Sequence, residues 1–143
     1  MSLEINTSII IKTTPQHLWK VFTSFDAYKD WNPFISLEGK VAVGNTIKAN
    51  IDGSTFKPTV LVFEEYKLEW LGKLIISGIF DGNHKFEIID NLDGTCTFKQ
   101  NEMFKGILVP LLAKKLNTEI RSGFEKMNTA LKQRAEKPML INL

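Results

Sequence analysis

Cysteine and histidine are scarce in this sequence of 143 residues, and it contains no long apolar run. Its single cysteine, Cys96, cannot form an internal disulfide, and two histidines, His17 and His84, are too few for a closed structural zinc site. No apolar run reaches the roughly eighteen residues that a membrane span requires. We therefore expect no bound metal and no integral membrane association.

A strong excess of charge of one sign is also missing. Eighteen Lys and Arg residues against sixteen Asp and Glu residues give a net charge of +2, which is too small to indicate nucleic-acid binding. The first residues include neither a basic stretch nor a long apolar core, which predicts the absence of a signal peptide and a cytoplasmic location. Hydrophobic residues at 43% and charged residues at 24% indicate a globular domain rather than disorder.

Several motifs of common enzymes are absent. The sequence has no Gly-x-Ser-x-Gly elbow, glycine-rich phosphate loop, HExxH motif or dinucleotide-binding fingerprint. Hydrolase, kinase and dehydrogenase functions therefore lack their usual support, and we expect no cofactor.

The patterns that are present predict a strand, two short helices, about six further strands and one long helix. Apolar residues alternate over residues 3–12, Thr14 and Pro15 are typical of a helix start, and Asn32–Pro33 ends the second helix. Short turns separate the strands of residues 37–105, which predicts antiparallel neighbours.

The last long segment has helical periodicity. Apolar residues recur every three or four positions from Leu108 to Leu131, Pro110 fits only its first turn, and Pro138 is expected to end the helix. We predict one α+β domain over residues 1–137, with residues 138–143 as a tail.

The last hairpin can be placed in register from its loop. Residues 91–95, Asn-Leu-Asp-Gly-Thr, favour a type I turn followed by a glycine in the left-handed region, which closes a three-residue loop. That loop pairs Ile88 with Phe98, Phe86 with Gln100, and His84 with Glu102. The pairing places His84, Gln100 and Glu102 on one otherwise apolar face, together with Cys96 as a small core residue. Cβ atoms of directly opposed residues, such as His84 and Glu102, lie about 5 Å apart.

The pair His84 and Glu102 allows three interpretations. It is a structural contact between two strands, a site that binds a hydroxyl or carbonyl group, or a general acid/base pair in which both residues are catalytic. Buried among apolar side chains, Glu102 resists ionisation unless His84 or a ligand pairs with it.

Three segments resemble the START-like, or SRPBCC, superfamily, and most closely its polyketide cyclase/dehydrase-like branch. They are FDAYKDWNPF at 25–34, FKQNEMFKGILVP at 98–110 and GFEKMNTALK at 123–132. The resemblance covers residues 3–136 and implies a helix-grip fold, in which a seven-stranded antiparallel sheet wraps the C-terminal helix around a hydrophobic cavity.

The resemblance also implies that inward-facing residues line this cavity. Trp31, Asn32 and Phe34 form either a gate over it or an ordinary turn, and Gly123 either admits a close neighbour or leaves room for a ligand. The candidate ligand-binding residues are Trp31, Asn32, Phe34, Trp70, Phe86, Phe98, Gln100, Phe104, Leu112, Leu116, Ile120 and Phe124.

Three functions remain open at this point. The first is binding or transport of a small hydrophobic molecule, which is lipid-like, aromatic or polyketide-like. The second is a cyclase or dehydratase that uses His84 and Glu102, and the third is a co-chaperone-like protein-interaction module. The sequence does not decide whether the protein is a monomer or a dimer.

Overall fold

The structure, a computed structural model, describes residues 2–73 and 78–137. The strands are β1 (Ser2–Ile11), β2 (Ile35–Glu38), β3 (Lys48–Ile51), β4 (Ser54–Phe56), β5 (Thr59–Glu64), β6 (Lys67–Lys73), β7 (Asp81–Asp90) and β8 (Cys96–Lys105). The helices are α1 (Pro15–Thr23), α2 (Tyr28–Trp31), α3 (Val109–Lys115) and α4 (Arg121–Glu136). The predicted tail at 138–143, including Pro138, lies outside the described residues.

Two antiparallel sheets replace the single seven-stranded sheet that was expected, within the part of the chain that the structure describes. One has the strand order β1-β8-β7-β6-β5 and the other the order β2-β3-β4. The break falls at Pro58, between β4 and β5, because proline cannot donate a ladder hydrogen bond. A bridge between Thr46 and Thr59 still connects the two regions.

The two short helices lie where the sequence predicts them. Thr14 caps α1, and its hydroxyl oxygen accepts a hydrogen bond from the backbone N–H of His17 at 3.1 Å. The helix buries Phe22 completely, and the hydroxyl of Tyr28 in α2 donates to the Phe22 carbonyl at 2.5 Å. Phe22 packs in turn against Phe86 and Phe98, which holds the two helices against the inner face of the larger sheet.

The C-terminal helix begins at Val109, with Pro110 in its first turn as predicted. It is continuous with α4, but a π-helical turn at Leu116–Ile120 joins α3 to α4, and the N–H of Arg121 bonds the carbonyl of Leu116. A π-helical turn holds one extra residue and widens the helix locally, a feature often found at functional sites. The regular helical period of the sequence did not predict it.

The helix crosses the inner face of the larger sheet and closes the core. Its buried side chains, among them Phe124, Met127 and Leu131, face inward residues of β1 and β8 such as Ile5 and Phe98, all fully buried. This is the α+β helix-grip arrangement, in which a curved antiparallel sheet holds a long helix. The described residues include no helix long and apolar enough to cross a membrane.

Candidate functional site

A cavity of about 480 Å³ lies between the sheets and the first half of the C-terminal helix. Six residues proposed from the sequence line it: Trp70, Glu102, Phe104, Leu112, Leu116 and Ile120. The π-helical turn contributes two of these side chains, so the irregular part of the helix forms one wall.

Two glycines that were not among the predicted site residues also line the cavity. Gly72 of β6 and Gly82 of β7 are paired across the sheet, and both line the cavity. They follow the inward alternation of Trp70 and His84, two positions away on the same strands. That alternation was the signal available in the sequence, because a glycine at an inward position leaves space that no side chain fills.

The exposed rim of the cavity carries charges of both signs. Asp52, Lys73, Lys115 and Glu119 line it and are exposed, and the Lys115 ammonium lies 3.9 Å from the Glu119 carboxylate. Among residues 2–73 and 78–137, no group of three or more His, Cys, Asp or Glu side chains is placed to hold a metal ion.

Glu102 is the polar group that lies deepest in the lining. It pairs with His84 across β7 and β8 in the predicted register, and the two side chains share the inner face. Its carboxyl lies over Gly82, where a Cβ atom would collide with Oε2. The Glu102 side chain keeps 14% of its surface exposed, and burial raises the pKa of its carboxyl to about 8. At neutral pH the group therefore holds its proton.

His84 lies behind Glu102 and does not line the cavity. Its ring stacks on Phe86 and Phe124 at centroid distances of 4.2 and 4.8 Å, and its Nε2 lies 3.0 Å from Gln100 Oε1. Burial lowers the pKa of His84 to about 3, so the ring is neutral. The distance from Nδ1 to Glu102 Oε1 is 3.7 Å, so the two neutral groups are adjacent without an ion pair.

Gln100 belongs to a buried polar network rather than to the cavity wall. Its amide nitrogen donates to Asn128 Oδ1 at 2.8 Å and lies 3.4 Å from the Phe124 carbonyl. Asn128 donates in turn to Thr7 Oγ1 at 2.9 Å, and Thr7 donates to the Gln100 carbonyl at 2.7 Å. The network ties β1 and β8 to α4. Asn128 and Thr7 were not found from the sequence, since only the packed helix brings them to Gln100.

The aromatic residues at the other end of the inner face were expected to line the cavity, and they do not. Phe86 and Phe98 are buried, and their ring centroids lie 5.1 and 5.3 Å from that of Phe22. Phe124 is also fully buried, against His84. Because α1 inserts Phe22 here, this end of the face is filled core.

The turn at Trp31, Asn32 and Phe34 lies outside the lining of this cavity, and Phe34 instead lines a neighbouring pocket with Ser122 and Gly123. Asn32 Oδ1 accepts hydrogen bonds from the backbone N–H groups of Phe34 and Ile35, both at 2.9 Å. Trp31 packs edge-on against Tyr28 with ring centroids 5.1 Å apart. The asparagine therefore caps the turn, and Trp31 packs beside it, outside the lining of the cavity.

Gly123 admits the ring of a neighbouring residue, Phe34. A Cβ atom at this position would collide with the ring of Phe34, whose Cζ would lie only 2.7 Å away. Phe34 also packs against Phe124, with a T-shaped geometry and ring centroids 5.7 Å apart. Of the two interpretations of this glycine, the structure therefore supports the close approach of a neighbour, here the ring of Phe34.

Curved sheet, C-terminal helix and intervening cavity together define the helix-grip class of proteins. Within that class, the chain belongs to the family described as polyketide cyclase / dehydrase and lipid transport, whose model matches residues 2–136. Among curated proteins, none matches this sequence significantly.

Solved structures similar to this one share its fold at low sequence identity. A hypothetical protein from Helicobacter pylori has a TM-score of 0.79 and 12% identity, and the match covers 93% of this chain and 88% of the H. pylori protein. A START superfamily protein from Mycobacterium smegmatis has a TM-score of 0.74 and 14% identity, covering 93% and 97%. Norcoclaurine synthase from Thalictrum flavum, in complex with dopamine and hydroxybenzaldehyde, has a TM-score of 0.70 and 11% identity, covering 94% and 86%. These similarities concern the fold alone.

Proposed function

We propose that this protein binds a small, largely apolar molecule in the cavity between the sheet and the C-terminal helix. The observation that carries the proposal is a cavity of about 480 Å³ with an aromatic and aliphatic wall and one partly buried carboxyl group. Small-molecule sites are typically cavities of roughly 300–1,000 Å³ with mostly apolar walls and few polar groups.

The family and the structural neighbours support the same function. The family description includes lipid transport, which favours a carrier of a hydrophobic molecule. Norcoclaurine synthase, which has the same fold, is described in complex with two small aromatic compounds. A helix-grip cavity of this kind thus suits either a lipid-like or an aromatic molecule.

A larger side chain at Gly72 is expected to fill the cavity and weaken binding. Among the described residues, a Cβ atom at this position meets only the Gly82 carbonyl oxygen, at 3.9 Å, so a side chain can enter the cavity without a clash at its base. We expect Gly72→Leu to fold and to weaken binding of 4-butylphenol at least tenfold, measured by chemical-shift titration of backbone amides.

The matched control places the same side chain on the other face of the same strand. Glu69→Leu adds a leucine at an outward position of β6 and is expected to leave binding unchanged. If Gly72→Leu binds 4-butylphenol as tightly as the wild-type protein, the cavity is not the binding site.

A second candidate function is dehydration of a β-hydroxy carbonyl compound, and the protonated carboxyl of Glu102 favours it. Burial raises the pKa of this group to about 8, so the carboxyl is protonated at neutral pH and can exchange protons with a substrate. Oε2, which lies over Gly82 on the cavity side, takes the α-proton while the proton on Oε1 passes to His84 Nδ1. Oε2 then gives its proton to the leaving hydroxyl, and His84 returns its proton to Oε1. The C–H and C–O bonds break, a C=C bond forms, water leaves, and both residues regain their starting protonation.

This candidate predicts that Glu102→Gln removes turnover and keeps binding. The assay follows the absorbance of the enone formed from 4-hydroxy-4-phenylbutan-2-one, because the product is conjugated and the reactant is not. We expect rates at least a hundredfold lower for Glu102→Gln, since an acid/base group contributes roughly 10²–10⁴ in rate. Equal rates in both proteins would leave Glu102 without a catalytic role.

The co-chaperone-like alternative is favoured by no observation among the described residues and is not proposed.

A further inference from the structure

The buried network behind the cavity fixes where the hydrogen atom of His84 lies. Gln100 directs its amide nitrogen to two acceptors, Asn128 Oδ1 and the Phe124 carbonyl, so its amide oxygen faces His84. Asn128 is held in turn, because its own nitrogen donates to Thr7 Oγ1. His84 Nε2 must therefore carry the hydrogen that Gln100 Oε1 accepts at 3.0 Å.

The other ring nitrogen, Nδ1, is left as a buried acceptor. It has no hydrogen-bond partner, and the ring is only 1% exposed. Glu102 Oε1 lies 3.7 Å from it across the sheet. Two lone pairs facing each other at this distance in a buried site would be costly, so one proton belongs between the nitrogen and the oxygen. A hydrogen bond between them needs this distance to shorten by about 0.7 Å.

Placing a proton on Oε1 leaves the other carboxyl oxygen with lone pairs only. This oxygen, Oε2, lies over Gly82, which lines the cavity and has no side chain to cover it. The result is the same whether the shared proton resides on Glu102 or on His84. In both cases, the cavity presents a hydrogen-bond acceptor at this point, not a donor.

We propose that the molecule held in the cavity carries a hydroxyl, phenol or ammonium group that donates a hydrogen bond to Glu102 Oε2, and that His84 is the residue that positions this acceptor. The inference rests on the proposed binding function and names its ligand class. The apolar body of the molecule lies along Trp70, Phe104 and Leu112, which line the same cavity.

Discrimination is expected at Glu102 because the other polar groups of the lining remain in contact with solvent. Asp52, Ser54, Lys73, Lys115 and Glu119 are all exposed, so water satisfies them with or without a ligand. A ligand without a donor would cover Oε2 and leave it unpaired, a cost that water cannot relieve once the cavity is occupied.

The test compares three probes of similar size: 4-butylphenol, which has a donor, 4-butylanisole, in which a methyl group replaces the donated hydrogen, and 4-butylacetophenone, which only accepts. Dissociation constants come from chemical-shift titrations of backbone amides at pH 6. We expect 4-butylphenol to bind the wild-type protein about tenfold more tightly than either other probe, the effect of one hydrogen bond to a buried group. The more apolar anisole would bind best if burial alone decided affinity.

Two substitutions of Glu102 separate its shape from its hydrogen bonding. The carboxamide of Glu102→Gln can donate its N–H to His84 Nδ1 and keep an oxygen toward the cavity, so the preference for the phenol is expected to persist. Glu102→Met fills similar volume without an acceptor of comparable strength, and the phenol and the anisole should then bind within about twofold. Equal loss of the preference in both variants would contradict the role of His84.

The outcomes distinguish this inference from the function on which it rests. Equal binding of phenol and anisole to the wild-type protein, or tighter binding of the ketone, would overturn the donor class and leave cavity binding intact. No binding of any probe to the wild-type protein would overturn the proposed function itself.

Discussion

Glu102→Gln is expected to gain stability relative to the wild-type protein as the pH rises. The difference in free energy of unfolding between the variant and the wild type should be about 4 kcal/mol more favourable to the variant at pH 8 than at pH 4. In the folded protein, burial raises the pKa of the Glu102 carboxyl from its ordinary value of 4.5 to about 8. Its contribution to stability is therefore fully present below pH 4.5 and is lost as the pH rises to 8, because only the unfolded chain releases the proton in that window. Glutamine does not titrate, so the variant avoids this loss.

The comparison isolates Glu102 because His84 is present in both proteins. The pKa of His84 is lowered by burial, so its contribution is present above pH 6.5 and is lost as the pH falls to about 3. That slope cancels in the difference between the two proteins. Urea unfolding at pH 4, 6 and 8 measures the effect. The control is Glu125→Gln, which removes an exposed carboxyl group from α4. A constant stability difference from pH 4 to 8 would show that Glu102 ionises normally.

The second large effect concerns Gly123, where alanine is expected to destabilise the protein by about 1–3 kcal/mol. In an unobstructed helix, alanine would stabilise by about 1 kcal/mol relative to glycine. Here the new methyl group meets the ring of Phe34, which also packs on Phe124 and cannot withdraw freely. Overpacking of this kind costs about 1–3 kcal/mol.

A double-mutant cycle tests the contact directly. In a Phe34→Leu background, the ring is gone, and Gly123→Ala is expected to be neutral or stabilising, as measured by thermal unfolding. Ser122→Ala, the neighbouring position of the same helix, serves as the control for helix propensity. A stabilising effect of Gly123→Ala in the wild-type background would mean that Phe34 moves aside at little cost.

The register of the last hairpin could be predicted because it depends on local features. The loop at Asn91–Thr95 and the alternation of β7 and β8 place His84 opposite Glu102, and the structure confirms this pairing. The turn type was wrong, since Leu92 has a φ of +59° where a type I turn needs a negative value. The loop length was still correct, and the length determines which residues face each other.

By itself, the sequence determined the order of the elements, the class of fold and the inward face of each hairpin strand, because alternation and turn chemistry act between near neighbours. Only the tertiary structure decided which end of that face is filled. Phe22 packs against Phe86 at one end, whereas Gly72 and Gly82 leave the other end open. The partner that orients Gln100 toward His84 is Asn128, which lies 28 residues away and reaches it only after the helix has packed across the sheet. Local patterns cannot specify such a contact, because the side chains involved are brought together by the burial of many others.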